Sequence, residues 1–491
     1  MKLFKTSLLF LLAATLGVSA FSAQIIDRTP DGKGLKARIF SYGDKYLLHV
    51  EGNGYEMGYQ QGWLMAKEVK ELCSMDFFRQ LAMTFFGSDD TIKDIINDDF
   101  KFGVIYKACE VAAKAQAMYV PRELRDEIHG IAEGATARLN KDGDSTKVSY
   151  DSVLMNNIGF DLLMSFGYQF IVRQYLKDDP AAAAARKLRI MDKFHMCDGF
   201  VATKEITTTG GTLMGRNFMF TTLLSNRSFL IEYAPSEGNK MVAVTFPSYI
   251  GIPSIMNDKG LCIGMDMARG LATNPAFTGM GVILTARYVA QHQNSVPEAL
   301  NTIKNIKVRG CPWIYILGDK NTGAVAEVGP TYTFNVTPVD KKFFAARYVD
   351  YVDDPENPAP DGITQGESNP YYVACSNHFI TPTIAKWSQQ YANESSRIRY
   401  DLLNKLVNEE AMKKISPQTA IKLVNYLSPL PDNPYKDRYF SNGTQVWQYY
   451  QTQPYVWGMR VMFDIKNMKV YALYNHWDDL WATYDWEAPL K

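Results

Sequence analysis

Beyond its first two dozen residues this 491-residue chain has no long apolar run. Nothing later approaches the roughly 18 uninterrupted apolar residues that a membrane-spanning helix needs. Charge imbalance is missing too. With 52 basic and 52 acidic residues, there is no electrostatic footprint for nucleic acid. Cysteine and histidine are scarce, six of each. They form no CxxC pair, no HExxH and no mixed cluster, so neither a metal nor another cofactor is expected. The chain also lacks a GxSxG elbow, a P-loop and a dinucleotide-binding glycine fingerprint, which removes the commonest hydrolase and nucleotide-binding classes.

The opening, MKLFKTSLLFLLAATLGVSAFSAQ, joins Lys2 and Lys5 to an apolar stretch and to small residues at Ser19, Ala20, Ser22 and Ala23. That is the three-part pattern of an export signal over residues 1–23, so the mature chain is expected to be secreted or periplasmic. About 470 residues remain, ample for a large core. An even number of cysteines in an exported chain allows disulfides, but Cys109 in YKACEVA and Cys262 in GLCIGM read as small buried hydrophobes. The sequons at Asn226, Asn335, Asn393 and Asn442 are acceptors for glycosylation in a eukaryotic secretory route.

From Gly54 to Leu139 the apolar spacing is helical, with Pro121 at a helix start. A further buried helix is expected over 149–176. Residues 24–196 thus read as a helical N-terminal region, closing in a linker, 177–196, with an alanine run and a basic patch. From Cys197 onward the pattern changes to short strands such as GFVATKEI, TLMGRNFMF, FLIEYAP and GLCIGMDM. Helices are expected again at 280–305 and 395–426, and a surface loop at 353–370. The core, 197–491, is therefore of α+β type.

Cys197 stands at that linker-to-sheet switch, where it could become a chain terminus. A terminal cysteine carries its own chemistry: the thiol is the nucleophile and the α-amine, with an ordinary pKa of about 7.7 to 8.0, is the base. The same thiol can first attack the preceding carbonyl, so one group accounts for maturation and turnover.

These residues open a series that resembles the C45 family of autoproteolytic acyltransferases and hydrolases, relatives of isopenicillin N acyltransferase and more distantly of choloylglycine hydrolases. In order they are CDGFVA, GRN, MNDKGLCIGMD, SNHF and SSRIRYDLL. Upstream, GNGYEMGYQQGWLMAKEV, IHGIAEGA and YDSVLMNNIGFDLL are similar to that family's pre-nucleophile segment. The resemblance implies a four-layer αββα sandwich of the N-terminal-nucleophile (Ntn) type. It implies Cys197 as nucleophile after a cut between Met196 and Cys197, Arg216 beside the thiol, lowering its pKa or gripping a substrate carboxylate, and Asn377 as oxyanion donor. Arg397 would support the site, with Arg399 two residues away as a substitute. His195 and His378 are read as structural and Asn257 as a turn residue. One departure stands out. Relatives commonly carry an aspartate three residues after the arginine of GRN, where this chain has Met219; Asp198 and Asp266 are the alternatives.

The expected partners are a small acyl-amide or lipid-like substrate and the chain's own N-terminal fragment; a homo-oligomer stays open. Two other readings compete. One is a phospholipase B-like lipid hydrolase, suggested by MDFFRQLAMTFF. The other is an inert secreted binding protein that uses the aromatics of WQYYQTQPYVW and HWDDLWATYDW.

Overall fold

A computed structural model of the chain describes residues 24–38, 45–86, 90–162, 196–268, 279–331, 344–349, 370–385, 394–427, 458–474 and 481–486. The export signal, the linker with His195, the 353–370 loop, the first C-terminal aromatic run and three of the four sequons lie outside these residues. Asn226 is described, and exposed. Among the described residues no helix is long and apolar enough to cross a membrane.

Two sheets form the centre. The larger has ten strands in the order β1 (Gln24–Arg28), β2 (Leu35–Arg38), β3 (Tyr46–Gly52), β6 (Phe229–Pro235), β7 (Met241–Thr245), β8 (Ser254–Asn257), β9 (Cys262–Met267), β10 (Trp313–Gly318), β11 (Gly323–Val328) and β12 (Phe344–Tyr348). The smaller runs β13 (Tyr372–Cys375), β4 (Met196–Ala202), β5 (Leu213–Met219), β14 (Met459–Asp464), β15 (Lys469–Leu473) and β16 (Ala482–Asp485). All neighbours are antiparallel except β3 and β6. β4 and β5 pack face to face on β9 and β10, so the inner faces of both sheets share one core.

Helices cover both outer faces. The N-terminal helices are α1 (Gly54–Leu64), α2 (Ala66–Leu72), α3 (Met75–Phe86), α4 (Asp90–Asn97), α5 (Asp99–Gln116), α6 (Arg122–Lys141) and α7 (Tyr150–Leu162). With α8 (Val282–His292) and α9 (Val296–Asn305) they lie over the large sheet, whereas α10 (Glu394–Ala411) and α11 (Pro417–Val424) cover the small one. The expected α+β sandwich of four layers is what the chain forms. The helix at 280–305 divides where Ser295 caps α9, and that at 395–426 divides where Ser416 caps α11. In both cases a serine hydroxyl serves the first turn better than a continued helix would.

Residues 24–196 are more than a helical region. β1 to β3 extend the core sheet, and β3 pairs in parallel with β6 from Leu47↔Leu230 to Gly52↔Pro235. The short apolar run in YLLHVEG, buried at Leu47, Leu48 and Val50, precedes the helical periodicity. Chain reversal follows at once, because Asn53 caps α1 in a capping box with Glu56.

Glycine brings α1 and α6 unusually close. A Cβ on Gly58 would lie 1.9 Å from the Glu127 carbonyl oxygen, and one on Gly134 would lie 2.1 Å from that of Tyr59. The helix pair is tied to the core by Glu127, which accepts from Arg287 of α8 at 3.1 Å, both residues buried. Asp161, ending α7, accepts the Val282 amide at the start of α8 at 2.9 Å and the Cys311 thiol at 3.4 Å.

Burial pushes the carboxyls of both Glu127 and Asp161 up to about 7. Between their ordinary range and pH 7 the folded chain therefore holds protons that the unfolded chain has released. The stability they contribute is present at low pH and lost as pH rises through about 7. Thermal unfolding followed by circular dichroism is expected to show a midpoint a few degrees higher at pH 6 than at pH 8, with a smaller difference in Asp161→Asn.

Candidate active site

β4 and β5 carry the site, and strand alternation sorts its residues between two faces. The register pairs Cys197 with Phe218 and Gly199 with Arg216. These four face the large sheet, whereas Asp198, Asn217 and Met219 face the helical layer of α10 and α11. Phe218 packs in the inter-sheet core, and Met219 in the separate cluster beneath those helices.

Cys197 is 5% exposed, and its main chain is gripped from one side. Its amide donates to Asn377 Oδ1 at 2.9 Å, and its carbonyl accepts from Arg399 Nη1 at 2.8 Å. Arg399 Nη2 donates to the same Asn377 oxygen at 2.7 Å. Arg399 Nη1 also meets Asp198 Oδ2 at 3.1 Å, and that carboxylate further accepts from Tyr426 at 3.1 Å and Asn217 at 2.7 Å. Every member of this network is buried, so each charge is answered by hydrogen bonds as well as by a counter-charge.

On the thiol side, Arg216 runs between the sheets with its stem over Gly264, where a Cβ would lie 2.3 Å from the Arg216 Cδ. Its guanidinium donates to Ser254 Oγ and Asp266 Oδ1, each at 3.0 Å, and sits 5.1 Å from the Phe218 ring centre. The other Asp266 oxygen accepts from the Cys375 thiol at 3.1 Å. Burial raises the Asp266 carboxyl to about 6 against the pull of Arg216.

The Cys197 thiol, 3.9 Å from the Met219 carbonyl oxygen, is pushed up to about 11. Burial dominates and the Asp266 charge adds to it, against Arg216, the Met219 carbonyl bond and Arg399. Arg216 thus pulls the thiol down, but by less than burial and Asp266 push it up. Both terminal nitrogens of Arg216 are engaged, by Ser254 and Asp266, and the residue is 1% exposed.

Asn377 lies in the site, turned so that its oxygen faces Cys197 and its amide nitrogen donates to the Met267 carbonyl at 2.7 Å. Of the two arginines in SSRIR, Arg399 is the one that enters. Arg397 is exposed, because two residues along a helix turn the side chain to the opposite face. His378, read as structural, is buried and held by serines. Its Nδ1 bonds Ser396 Oγ at 2.8 Å, and Ser376 Oγ joins the same knot at 2.9 Å from Ser396. This ties the Asn377 turn to the first turn of α10, one turn ahead of Arg399. Asn257 shapes its turn by accepting the Lys259 and Leu261 amides. Sequence reasoning did not find Tyr426, Ser254 or Cys375, which reach the site from other segments, nor Asn217, which stands in GRN beside Arg216 but turns to the opposite face of β5 to bond Asp198. All six cysteines are free thiols.

Residues 206–433 match the family model described as acyl-coenzyme A:6-aminopenicillanic acid acyl-transferase. An uncharacterized protein of Archaeoglobus fulgidus is 33% identical over 446 residues, 90% of this chain and 65% of its own length. Protein dcd1B of Dictyostelium discoideum is 25% identical over 296 residues, 57% of this chain and 50% of its own length. The chain thus spans less than two thirds of either relative. Among solved structures, the Caenorhabditis elegans ortholog of N-acylethanolamine-hydrolyzing acid amidase is similar at a TM-score of 0.34 and 14% identity, over 55% of this chain and 93% of that one. Penicillin V acylase from Agrobacterium tumefaciens is similar at 0.27 and 11%, over 59% and 86% respectively.

Proposed function

With residues 206–433 falling in the acyl-coenzyme A:6-aminopenicillanic acid acyl-transferase family, we propose that this protein is a cysteine Ntn enzyme. It cuts its own chain between Met196 and Cys197, then cleaves a linear N-acyl amide through a Cys197 thioester and passes the acyl group to water or to an amine. The observation that carries this reading is the grip on Cys197. Its amide nitrogen and carbonyl oxygen are both held by buried side chains, Asn377 and Arg399, while its thiol faces the space between the sheets. Buried main-chain groups need partners whatever the residue does, so the support lies in where these partners come from: Asn377 of SNHF and Arg399 of SSRIRYDLL.

Maturation would begin with attack of the Cys197 sulfur on the Met196 carbonyl carbon. The peptide C–N bond breaks as the nitrogen takes up a proton, and water then opens the thioester to leave a carboxylate on Met196. The freed α-amine stays within reach of Asn377 Oδ1, which accepts one of its hydrogens and steers its lone pair toward the thiol. In turnover the amine takes the thiol proton and returns it to the leaving amine. The second N–H of Asn377 is available to a developing oxyanion.

The N-terminal fragment would remain bound through the β3–β6 ladder and through Asn157, which accepts the Ile250 and Gly251 amides at 2.9 and 3.1 Å. Residues 1–23 would direct export. Intact-mass measurement on purified protein tests the reading. A fragment that begins at Cys197 is expected, absent in Cys197→Ala, together with thiol-dependent release of amine from a panel of N-acyl amino acids. A single uncleaved chain without that activity would instead identify an inert binding protein.

A further inference from the structure

The departure at position 219 raises the question of which group replaces the missing carboxylate. Alternation along β5 decides where it cannot be. Phe218 faces the inter-sheet core, so the side chain at 219 points away from Arg216 and into the helical layer. The carboxylate that does meet Arg216 is Asp266, on β9 of the opposite sheet. Its second oxygen is held by Cys375, the last residue of β13.

The three residues are brought together by register. Cys375 pairs with Gly199, and Gly199 pairs with Arg216, so these positions form one row across β13, β4 and β5. The central position has no side chain. A Cβ on Gly199 would come within 3.1 Å of Ile316 and 3.6 Å of the Arg216 Cγ. The gap lets the thiol and the guanidinium converge from either side on a single carboxylate lowered from the facing sheet.

We propose that Cys375 and Asp266 are positioning residues for the reaction at Cys197. The Cys375 thiol fixes one oxygen of Asp266, the other oxygen anchors Arg216, and this arch sets the guanidinium beside the nucleophile, which a side chain at position 219 cannot do. The inference rests on Cys197 being the nucleophile. Burial and the Asp266 charge hold the Cys375 thiol well above its ordinary range, so it stays a hydrogen donor and does not compete as a thiolate. Asp266 is 0% exposed, and a carboxylate so placed needs both of its hydrogen-bond donors to stay ionised.

The test follows maturation over time by intact mass in the full-length chain, with thermal midpoints confirming that each variant is folded. Cys375→Ser keeps a donor and is expected to mature within about twofold of wild type, whereas Cys375→Val, close in size but without a donor, slows about tenfold, the worth of one hydrogen bond to a charged group. Asp266→Asn keeps the shape and loses the anchor, with an expected slowing on the order of a hundredfold.

A second readout does not depend on cleavage. Alkylation of the Cys197-containing peptide by iodoacetamide is followed across pH by mass spectrometry. Its midpoint should rise in Cys375→Val and not in Cys375→Ser, because both keep the Asp266 charge and only the serine keeps the donor that holds Arg216 in place. Should wild type cleave while Cys375→Val and Cys375→Ser mature alike, the arch is overturned and the nucleophile assignment stands. Should wild type not cleave, that assignment fails, and equal alkylation midpoints in Cys375→Val and Cys375→Ser overturn the arch on their own.

Discussion

Arg399→Met is expected to yield a chain that stays joined at Met196 and is less stable by about 3–5 kcal/mol, the usual cost of stripping one partner from a buried ion pair. The side chain makes three contacts of consequence: with the Cys197 carbonyl, with Asp198 and with Asn377. Methionine fills a similar volume and makes none of them. Asp198 would keep Tyr426 and Asn217 as neighbours but lose its cation. Asn377 would lose the donor that helps turn its oxygen toward Cys197.

The double variant Asp198→Asn, Arg399→Met separates the two effects. Stability should return in part, because no buried charge is left without its partner, while maturation should not. Arg397→Ala serves as the control on the exposed face, with an expected change within about 0.5 kcal/mol and normal maturation. Urea unfolding and intact mass together read all four proteins. Equal loss of maturation in Arg397→Ala would contradict the placement of Arg399.

Gly58→Val should also be strongly destabilising, at a distance from the chemistry. An added Cβ would stand 1.9 Å from the Glu127 carbonyl oxygen, about half a normal contact distance. Helices α1 and α6 would have to separate by more than an ångström. Their contact repeats at Gly62 against Ile131 and at Gly130 against Tyr55, so displacement at one point opens the whole interface. Separation also strains the Glu127–Arg287 pair and the Gln61 amide, which donates to the Pro247 and Tyr249 carbonyls at 3.0 and 2.9 Å.

A loss at or above the usual overpacking range of about 1–3 kcal/mol is expected, with poor recovery of folded protein. Gly103 of α5 is the contrast, because nothing lies within 4 Å of its added Cβ. Gly103→Ala should be stabilising by about 0.5–1 kcal/mol through helix propensity alone. Thermal midpoints of the two variants, measured side by side, distinguish close packing from intrinsic helix preference.

The parts of this architecture that were legible in the sequence are those written in local periodicity or in ordered motifs. Alternation identified most of the strands from β4 onward, and the series CDGFVA, GRN and SNHF led to Cys197, Arg216 and Asn377. The choice between Arg397 and Arg399 was also written locally, in the phase of α10. Ser396, Arg399, Leu403 and Leu406 recur at helical spacing and are buried together. Arg397 is in phase with Asp401 and Lys405, both exposed.

Cys375, Ser254 and Tyr426 could not be found this way. Each joins the site through pairing between segments far apart in the chain, and each looks locally like an ordinary residue of a strand, strand end or helix end. β1 to β3 were hidden for a related reason. β1, β2 and β3 pair with one another in order, but the strand that joins them to the rest of the sheet, β6, lies some 180 residues downstream of β3, and the strong helical signal that follows Gly52 dominated the reading of the N-terminal region.

If the chain is cut between Met196 and Cys197 as proposed, the parallel ladder between β3 and β6 changes meaning. Before the cut its hydrogen bonds close a loop within one molecule, and unfolding is a unimolecular process whose midpoint is indifferent to dilution. Afterwards the same bonds join two polypeptides, so dissociation adds a mass-action dependence to the midpoint. A cleaved sample heated at low concentration should melt earlier than the same sample at high concentration, and on cooling should recover less, because the two pieces must now find each other. Maturation would thereby turn a reversible fold into one kept together by the rate at which it comes apart.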